Sequence, residues 1–198
     1  MATDTNADLS NGYNDVADEF MSVRSTIGTT TVRRWSTVLK PGGAVLDIGC
    51  GHGSPISQAL SDAGFDVHGI DASPRLIAAF RERLPQAHAE CAAVEHSRLF
   101  NRKFDGVVAC GLIFLLPPET QATVIAKVAS ALNPGGHFLF TAPHQECEWF
   151  DNLTKQKSIS LGSPAYRRIL QSEGLTFIGD AEDEAQNHYY FACTSSND

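Results

Sequence analysis

The stretch Val45-Leu-Asp-Ile-Gly-Cys-Gly-His-Gly53 decides the fold. Residues 44–48 (Ala-Val-Leu-Asp-Ile) are almost wholly apolar and read as a strand buried on both faces. Glycines at 49, 51 and 53 follow at its end. They let the backbone turn sharply and let a ligand approach where a Cβ would otherwise stand. A helix is expected directly afterwards over 55–63, with Ser54 as its N-cap and Pro55 at its first position. The free N–H groups of such a helix end face the turn, so the corner is built to hold a ligand.

Two ligands use this geometry, a dinucleotide and S-adenosylmethionine. The dinucleotide fingerprint is GxGxxG. Counting from Gly49, its third glycine falls on Ser54, and Gly53 comes one residue early. Asp47 also precedes the glycines. A carboxylate is ill suited beside a pyrophosphate and well suited to a ligand carrying an ammonium and a sulfonium. Asp71 ends the next strand, in Gly69-Ile-Asp-Ala-Ser73. An acid there can accept both ribose hydroxyls of an adenosine, a role common to both ligands.

Outward from this corner, strand and helix signals alternate. Residues 15–39 read as helical, in two pieces broken near Gly28, and Lys40-Pro-Gly-Gly43 punctuates the chain. Strands are expected over 65–70, 88–92, 104–109 and 137–141, with helices over 74–84, 118–132 and 163–173. Two closing strands cover 175–180 and 188–194. Ser73-Pro74 repeats the cap-and-proline helix start, and Asn133-Pro-Gly-Gly136 ends the fifth helix. Such alternation implies parallel strands with helices on both faces. Ligands in such sheets bind at the carboxyl ends of the strands, where strand order reverses.

These segments, in order, resemble a class I S-adenosylmethionine-dependent methyltransferase of the small-molecule, single-domain type. Val45 to Gly53 is similar to that superfamily's first motif, and Val67-His-Gly-Ile-Asp-Ala-Ser73 to its second-strand acid. Phe104-Asp-Gly-Val-Val-Ala-Cys-Gly111 is similar to its fourth strand, Leu132-Asn-Pro-Gly-Gly-His-Phe-Leu-Phe140 to the turn into its fifth, and Tyr13-Asn-Asp-Val-Ala-Asp-Glu-Phe20 to its lead-in helix. The resemblance implies a Rossmann-like, seven-stranded, mostly parallel α/β sheet with helices on both faces and the last strand antiparallel. It implies a flexible N-terminus over 1–12 and one methyltransferase domain over 13–198, with 13–40 as a helical lid segment.

The resemblance also implies roles. Gly49, Cys50 and Gly51 meet the methionine part of S-adenosyl-L-methionine, with Asp47 toward its ammonium. Asp71 holds the ribose, Ala72 flanks the adenine, and Ala93 and Val94 meet the adenine edge. Cys110 lines the floor near the sulfonium with Gly111, and Tyr13 caps the cofactor. Many relatives carry an aspartate where this chain has Ala93. The adenine amino group is therefore left to Glu95, to a backbone carbonyl, or to packing alone. S-adenosyl-L-homocysteine is the expected product, and no metal is expected.

The acceptor is less legible. Residues 143–162 read as a long loop, of the kind that forms lids. His144, directly after the fifth strand, and His188, opening the last, are candidate bases. Arg24, Phe114, His144, Trp149 and Tyr189 are candidate acceptor contacts, with Phe150 beside Trp149 as a further roof. Strand alternation sends His188 and Tyr190 to one face and Tyr189 to the other. The fourth strand is not followed by the Asn/Asp-Pro-Pro-aromatic run of methyltransferases acting on DNA bases or protein amides. The formal net charge of −8 argues against a nucleic-acid partner. The expected acceptor is a small molecule methylated on O, N or S by in-line displacement. The alternatives are a protein or RNA acceptor, or a non-catalytic sensor of the cofactor.

The five cysteines (50, 91, 110, 147, 193) are odd in number, and no two stand at CxxC spacing. They read as free thiols in a reducing compartment. The polar, acidic first residues are not a secretion signal, and Leu112-Ile-Phe-Leu-Leu116 is far too short to span a bilayer. The expectation is a cytoplasmic monomer or homodimer without membrane association.

Overall fold

Two short helices, α1 (Ala17–Val23) and α2 (Thr29–Ser36), precede the sheet, separated at Gly28, whose φ of +85° is left-handed. This computed structural model describes residues 8–196, so the first seven residues of the expected flexible segment lie outside the described residues. Strand β1 (Ala44–Ile48) follows, buried at every position. Then come α3 (Ile56–Asp62), β2 (Asp66–Asp71), α4 (Pro74–Arg83), β3 (His88–Cys91), β4 (Phe104–Ala109), α5 (Pro118–Ala131) and β5 (Leu132–Thr141). A hairpin of β6 (Glu146–Phe150) and β7 (Lys157–Leu161) comes next, followed by α6 (Ser163–Ser172), β8 (Leu175–Glu182) and β9 (His188–Thr194).

Seven of these strands form one sheet in the order β3-β2-β1-β4-β5-β9-β8. β1 runs parallel to both β2 and β4, and β9 runs antiparallel to both β5 and β8. The last strand is therefore the antiparallel one, as expected. Strand order reverses between β1 and β4, so the crevice at their carboxyl ends is the natural ligand site.

Alternation along the strands builds a core on each face. Val45 and Val108 pack with Val32 and Trp35 of α2, Leu60 of α3 and Phe80 of α4. Leu46, Ile48 and Val107 pack on the other face with Val124, Ile125 and Val128 of α5 and with Tyr166 and Leu170 of α6. The α5 residues recur at helical spacing, which is why one side of that helix is apolar. Tyr190 joins the second cluster and Tyr189 the first, the split that alternation predicts.

Three local expectations change. Ser54 does not cap α3; Pro55 stands at the cap position with no side-chain cap bond, and the Gly53 carbonyl accepts the Gln58 N–H at 2.9 Å instead. The helix expected to reach 132 ends at Ala131, and β5 begins at once. Leu132 pairs with Phe104, after which the register shifts to Gly106↔His137. Asn133-Pro-Gly-Gly136 is thus held as an irregularity at the start of the strand, with the Gly135 N–H donating to the Ser195 carbonyl at 3.0 Å.

The third change matters most. Residues 143–162 are not a structureless loop, because Glu146↔Leu161 through Phe150↔Lys157 pair as an antiparallel hairpin. Gln121, wholly buried on α5, anchors it. Its amide donates to the carbonyls of Leu116 and Ile159 at 2.9 Å each, and its oxygen accepts the Tyr166 hydroxyl at 2.8 Å. Ser160 donates to the Pro143 carbonyl at 2.7 Å. Among the described residues no helix is long and apolar enough to cross a membrane.

Candidate functional site

β1 ends in the glycine turn, and the turn is fastened to β2. The N–H groups of Gly49 and Cys50 both donate to the Ile70 carbonyl, at 2.8 and 3.1 Å. The Gly51 N–H donates to Asp71 Oδ2 at 2.8 Å, and the Ser73 N–H donates to Oδ1 at 2.8 Å. The carboxylate of Asp71 is therefore held by two backbone amides at the tip of β2. Burial raises its pKa, while those two amides pull it down. Ser73 caps α4 as expected, accepting the Leu76 N–H at 3.2 Å.

Gly51 and Gly53 do different things. Gly51 (φ +55°) faces the cavity, and a Cβ there would meet Phe20 Cε1 at 3.2 Å. Gly53 (φ +85°) backs onto α4, where a Cβ would meet Phe80 Cδ2 at 3.0 Å. Only the first serves ligand approach; the second serves helix–turn packing.

Asp47 lies beneath this turn, 2% exposed, and accepts the Ser57 hydroxyl at 2.6 Å. Burial pushes its pKa up to about 7, against the lowering effects of Ser57 and Arg24. His52 is buried too; burial and the charges of Arg83 and Arg24 bring its imidazole down to about 4. Burial raises the thiols of Cys50 and Cys110, so neither is an activated nucleophile.

The carboxyl ends of the strands open into a cavity of about 510 Å³. Every candidate site residue named from the sequence except Phe150 lines it. Asp47, Gly49, Cys50 and Gly51 come from the end of β1, and Asp71 and Ala72 from that of β2. Ala93 and Val94 follow β3, Cys110 and Phe114 follow β4, and His144 follows β5. Trp149 comes from β6, His188 and Tyr189 from β9, and Tyr13 and Arg24 from the N-terminal segment. Phe150 does not line it and is 70% exposed, because alternation on β6 turns it opposite to Trp149.

Two halves are distinguishable. Toward β1–β3 the lining carries the carboxylates of Asp47, Asp71 and Glu95, and Glu95 Oε2 is buried with no hydrogen-bond partner. Toward β5 and β9 it carries imidazoles and aromatic rings. His144 and His188 meet edge to face at 5.1 Å, and Phe114 lies 5.2 Å from Trp149. Arg24 is the single Lys or Arg among the described lining residues, and its guanidinium carbon lies 5.6 Å from the Phe20 ring centre.

The N-terminal segment and the hairpin roof the cavity together. The Tyr13 hydroxyl donates to Asp151 Oδ2 at 3.1 Å; burial and Asp151 both raise its pKa. Asp151 Oδ1 in turn accepts the N–H groups of Leu153 and Thr154. Asn14 Oδ1 accepts the Ser73 hydroxyl at 3.0 Å, and Arg75 reaches back to the Asn14 carbonyl and to Asp18 at 2.6 Å.

Several of these residues were not picked out from the sequence. Ser57 is a wholly buried hydroxyl, and its only sequence signal is its place in the first turn of the helix after the glycines. Lys127 interrupts the apolar run of α5. Its ammonium donates to the carbonyls of Val94, Glu95 and Ser97 at 2.9, 2.8 and 2.6 Å. It thereby sets the loop that carries Ala93, Val94 and Glu95 into the cavity. Phe20 and Asn14 lay inside the lead-in segment but carried no role.

Among the described residues one group could gather metal-ligating atoms, Asp66, His68 and His88, within 4.8 Å of one another. It stands at the amino ends of β2 and β3, away from the cavity, and the Arg102 guanidinium already donates to Asp66 at 3.1 Å and lies 3.0 Å from His68 Nε2.

A family model described as a methyltransferase domain matches residues 45–136. The chain is 30% identical over 111 residues to an uncharacterized methyltransferase, sll0829, of Synechocystis sp., covering 56% of this chain and 52% of that protein. The chain spans about half the length, or less, of the curated relatives it matches. Among solved structures, the CcbJ methyltransferase of Streptomyces caelestis aligns with a TM-score of 0.76 at 16% identity, over 96% of this chain and 99% of that one. The 1,6-didemethyltoxoflavin-N1-methyltransferase of Burkholderia thailandensis, with 1,6-didemethyltoxoflavin and S-adenosylhomocysteine bound, aligns with a TM-score of 0.73 at 15% identity, over 99% and 94%. At these identities the structural likeness concerns the fold.

Proposed function

We propose that this chain is a class I S-adenosylmethionine-dependent methyltransferase, a reading supported by the methyltransferase-domain match over 45–136, and that it transfers a methyl group from S-adenosylmethionine to an O, N or S atom of a small-molecule acceptor. The observation that carries the reading is the pairing of a buried acid, Asp47, and a half-buried one, Asp71, with one open glycine turn. Asp47 and Asp71 stand at the ends of adjacent strands, and Gly51 between them presents backbone to a cavity with room for a nucleoside-sized ligand.

The residues present fit the cofactor. Asp47 answers its ammonium and Asp71 its ribose hydroxyls. Gly49, Cys50 and Gly51 bound the methionine part. Ala72, Ala93 and Val94 enclose the adenine, and we read the unpartnered Glu95 carboxylate as the acceptor of its amino group. Cys110 floors the sulfonium end and Tyr13 closes the top, with residues 13–40 as the lid. The bound cofactor supplies an activated methyl group, so the protein's part is position and exclusion of water. We read Arg24, Phe114, His144, Trp149 and Tyr189, which all line the cavity, as acceptor contacts, and His144 and His188 as candidate bases. One soluble domain over 13–198, acting in the cytoplasm as monomer or homodimer on a small molecule and on no nucleic acid, completes the reading.

The test is incubation with methyl-labelled S-adenosylmethionine and a mixed pool of small metabolites. Label appearing in a small product, with S-adenosylhomocysteine released in equal amount, supports the reading. Cofactor binding without transfer to any acceptor would replace it with a sensor.

A further inference from the structure

His188 opens β9 with its side chain 8% exposed, and neither ring nitrogen has a hydrogen-bond partner among the described residues. Buried polar atoms left unpaired are unfavourable and rare, so each calls for a functional reason. Two carboxylates flank the ring just beyond hydrogen-bond reach. Asp180 Oδ2 lies 4.0 Å from Nε2 and Glu182 Oε1 lies 3.7 Å from Nδ1.

These two acids are not equivalent. Asp180 lies outside the cavity and is held by Arg167 at 2.9 Å, whose guanidinium also rests 4.1 Å from the centre of the Phe177 ring. Glu182 lines the cavity, and its side chain is 62% exposed. Asp180 is thus the fixed carboxylate beside Nε2, 4.0 Å away. Nδ1 lies 3.7 Å from the cavity-lining carboxylate of Glu182, a side chain exposed enough for an entering molecule to displace. Around it the walls are flat rings: His144 edge-on to His188 at 5.1 Å, and Phe114 against Trp149 at 5.2 Å. No lysine or arginine other than Arg24 is available among the described lining residues to hold an anionic acceptor.

Resting on the methyltransferase reading above, we propose that the acceptor is a flat molecule methylated on a neutral phenolic or enolic hydroxyl, with His188 as its general base and Asp180 as the positioning residue of that base. The chemistry separates oxygen from nitrogen. A neutral amine that gains a methyl group becomes an ammonium, which sheds its proton afterwards and needs no base. A neutral hydroxyl would become an oxonium, so its proton must leave as the bond forms. In that step the acceptor oxygen bonds to the methyl carbon, the carbon–sulfur bond breaks with its electron pair going to sulfur, and the hydroxyl proton passes to His188 Nδ1. Asp180, 4.0 Å from Nε2, stands on the far side of the ring, where its charge favours the Nε2–H tautomer and offsets the positive charge that the imidazole gains. The proton then passes to water.

The probes are 2-naphthol and its isostere 2-naphthylamine, with 4-nitrophenol as a hydroxyl already largely ionised at assay pH. The first readout needs no cofactor: addition of 2-naphthol should move the ring ¹⁵N resonances of His188 and leave those of His52 and His68 in place. With S-adenosylmethionine, 2-naphthol should be methylated in preference to 2-naphthylamine. His188→Gln should lower kcat for 2-naphthol about 100-fold or more, with KM little changed and with 4-nitrophenol largely retained. Asp180→Asn should act in the same direction by a smaller factor. Retention of 4-nitrophenol turnover separates loss of a base from loss of the fold. Transfer confined to amines or thiols, no transfer to either hydroxyl probe, or equal losses for both hydroxyls would overturn the proposal. Transfer to an amine alone would leave the methyltransferase reading standing; failure to bind or consume the cofactor at all would remove both.

Discussion

Asp71 accepts the N–H of Gly51 at 2.8 Å, so the acid that ends β2 is fastened to the middle of the glycine turn that ends β1. Two features twenty residues apart in sequence therefore act as one part. The turn cannot open without freeing the acid, and the acid cannot rotate without leaving a turn amide unpaired. The Ser73 N–H holds the other carboxylate oxygen at 2.8 Å, which fixes the plane of the group.

Replacing this acid tests the ribose assignment. Asp71→Ala should weaken cofactor binding by about 1–3 kcal/mol, the usual effect of removing one partner of a charged hydrogen-bonded set. It should also lower the melting temperature, because the amides of Gly51 and Ser73 lose their acceptor. Calorimetry that finds unchanged affinity would show that the ribose lies elsewhere.

Asp47 gives a pH dependence whose sign is fixed. Its folded pKa of about 7 stands above the ordinary 3.8, so the folded state holds this proton more tightly than the unfolded chain does. The resulting contribution to stability is fully present below 3.8 and is lost as pH rises through about 7. Asp47→Asn should remove that part of the fall. A ligand bearing an ammonium prefers the ionised carboxylate, so cofactor affinity should rise as pH passes through about 7, with protons released on binding below it. Titrations in two buffers of different ionisation enthalpy count those protons. An affinity that is flat with pH, and that Asp47→Asn leaves flat, would contradict the ammonium assignment.

Lys127 holds the carbonyls of Val94, Glu95 and Ser97 in the loop after β3, where the adenine is proposed to lie. Lys127→Met should free the 93–97 loop, lowering stability by about 1.5–3 kcal/mol and speeding hydrogen exchange at those amides. Glu95→Ala should weaken the adenine-bearing cofactor while leaving the inosine-bearing analogue nearly unaffected, since only adenine offers an amino donor. Equal loss for both bases would assign Glu95 to packing.

The strand pattern was readable because β1, β4 and β9 are short runs whose burial matches their apolar positions, and their expected limits agree with the observed ones to within a residue. The half of the cavity around the glycine turn was readable for a related reason: all of its named residues but Tyr13 end or closely follow a strand, so chain order alone places them at the sheet's carboxyl edge. The hairpin was not. Lys157-Ser-Ile-Ser-Leu161 does alternate, but Glu146-Cys-Glu-Trp-Phe150 carries only partly buried or exposed positions, and what holds the pair is Gln121, distant in sequence. Lys127 and Ser57 were invisible for the same reason: their roles depend on partners that only the fold brings near. The setting of Asp180 depends in the same way on Arg167 and His188, which the fold brings beside it.

The roof makes a kinetic prediction. Tyr13→Phe removes one hydrogen bond, to Asp151, between the N-terminal segment and the hairpin. The expected loss is about 0.5–1.5 kcal/mol, appearing mainly as faster cofactor dissociation in stopped-flow displacement, with little change in melting temperature. An unchanged dissociation rate would mean that this contact does not hold the lid.

On the proposed function, the corner around Asp47, Gly51 and Asp71 takes an adenosyl sulfonium ligand and not a dinucleotide. Isothermal titration of the protein with S-adenosylhomocysteine and, separately, with NAD⁺ distinguishes the two. Saturable binding of one S-adenosylhomocysteine per chain and none of NAD⁺ is expected. Binding of NAD⁺ at the same site, or no binding of S-adenosylhomocysteine, would contradict it.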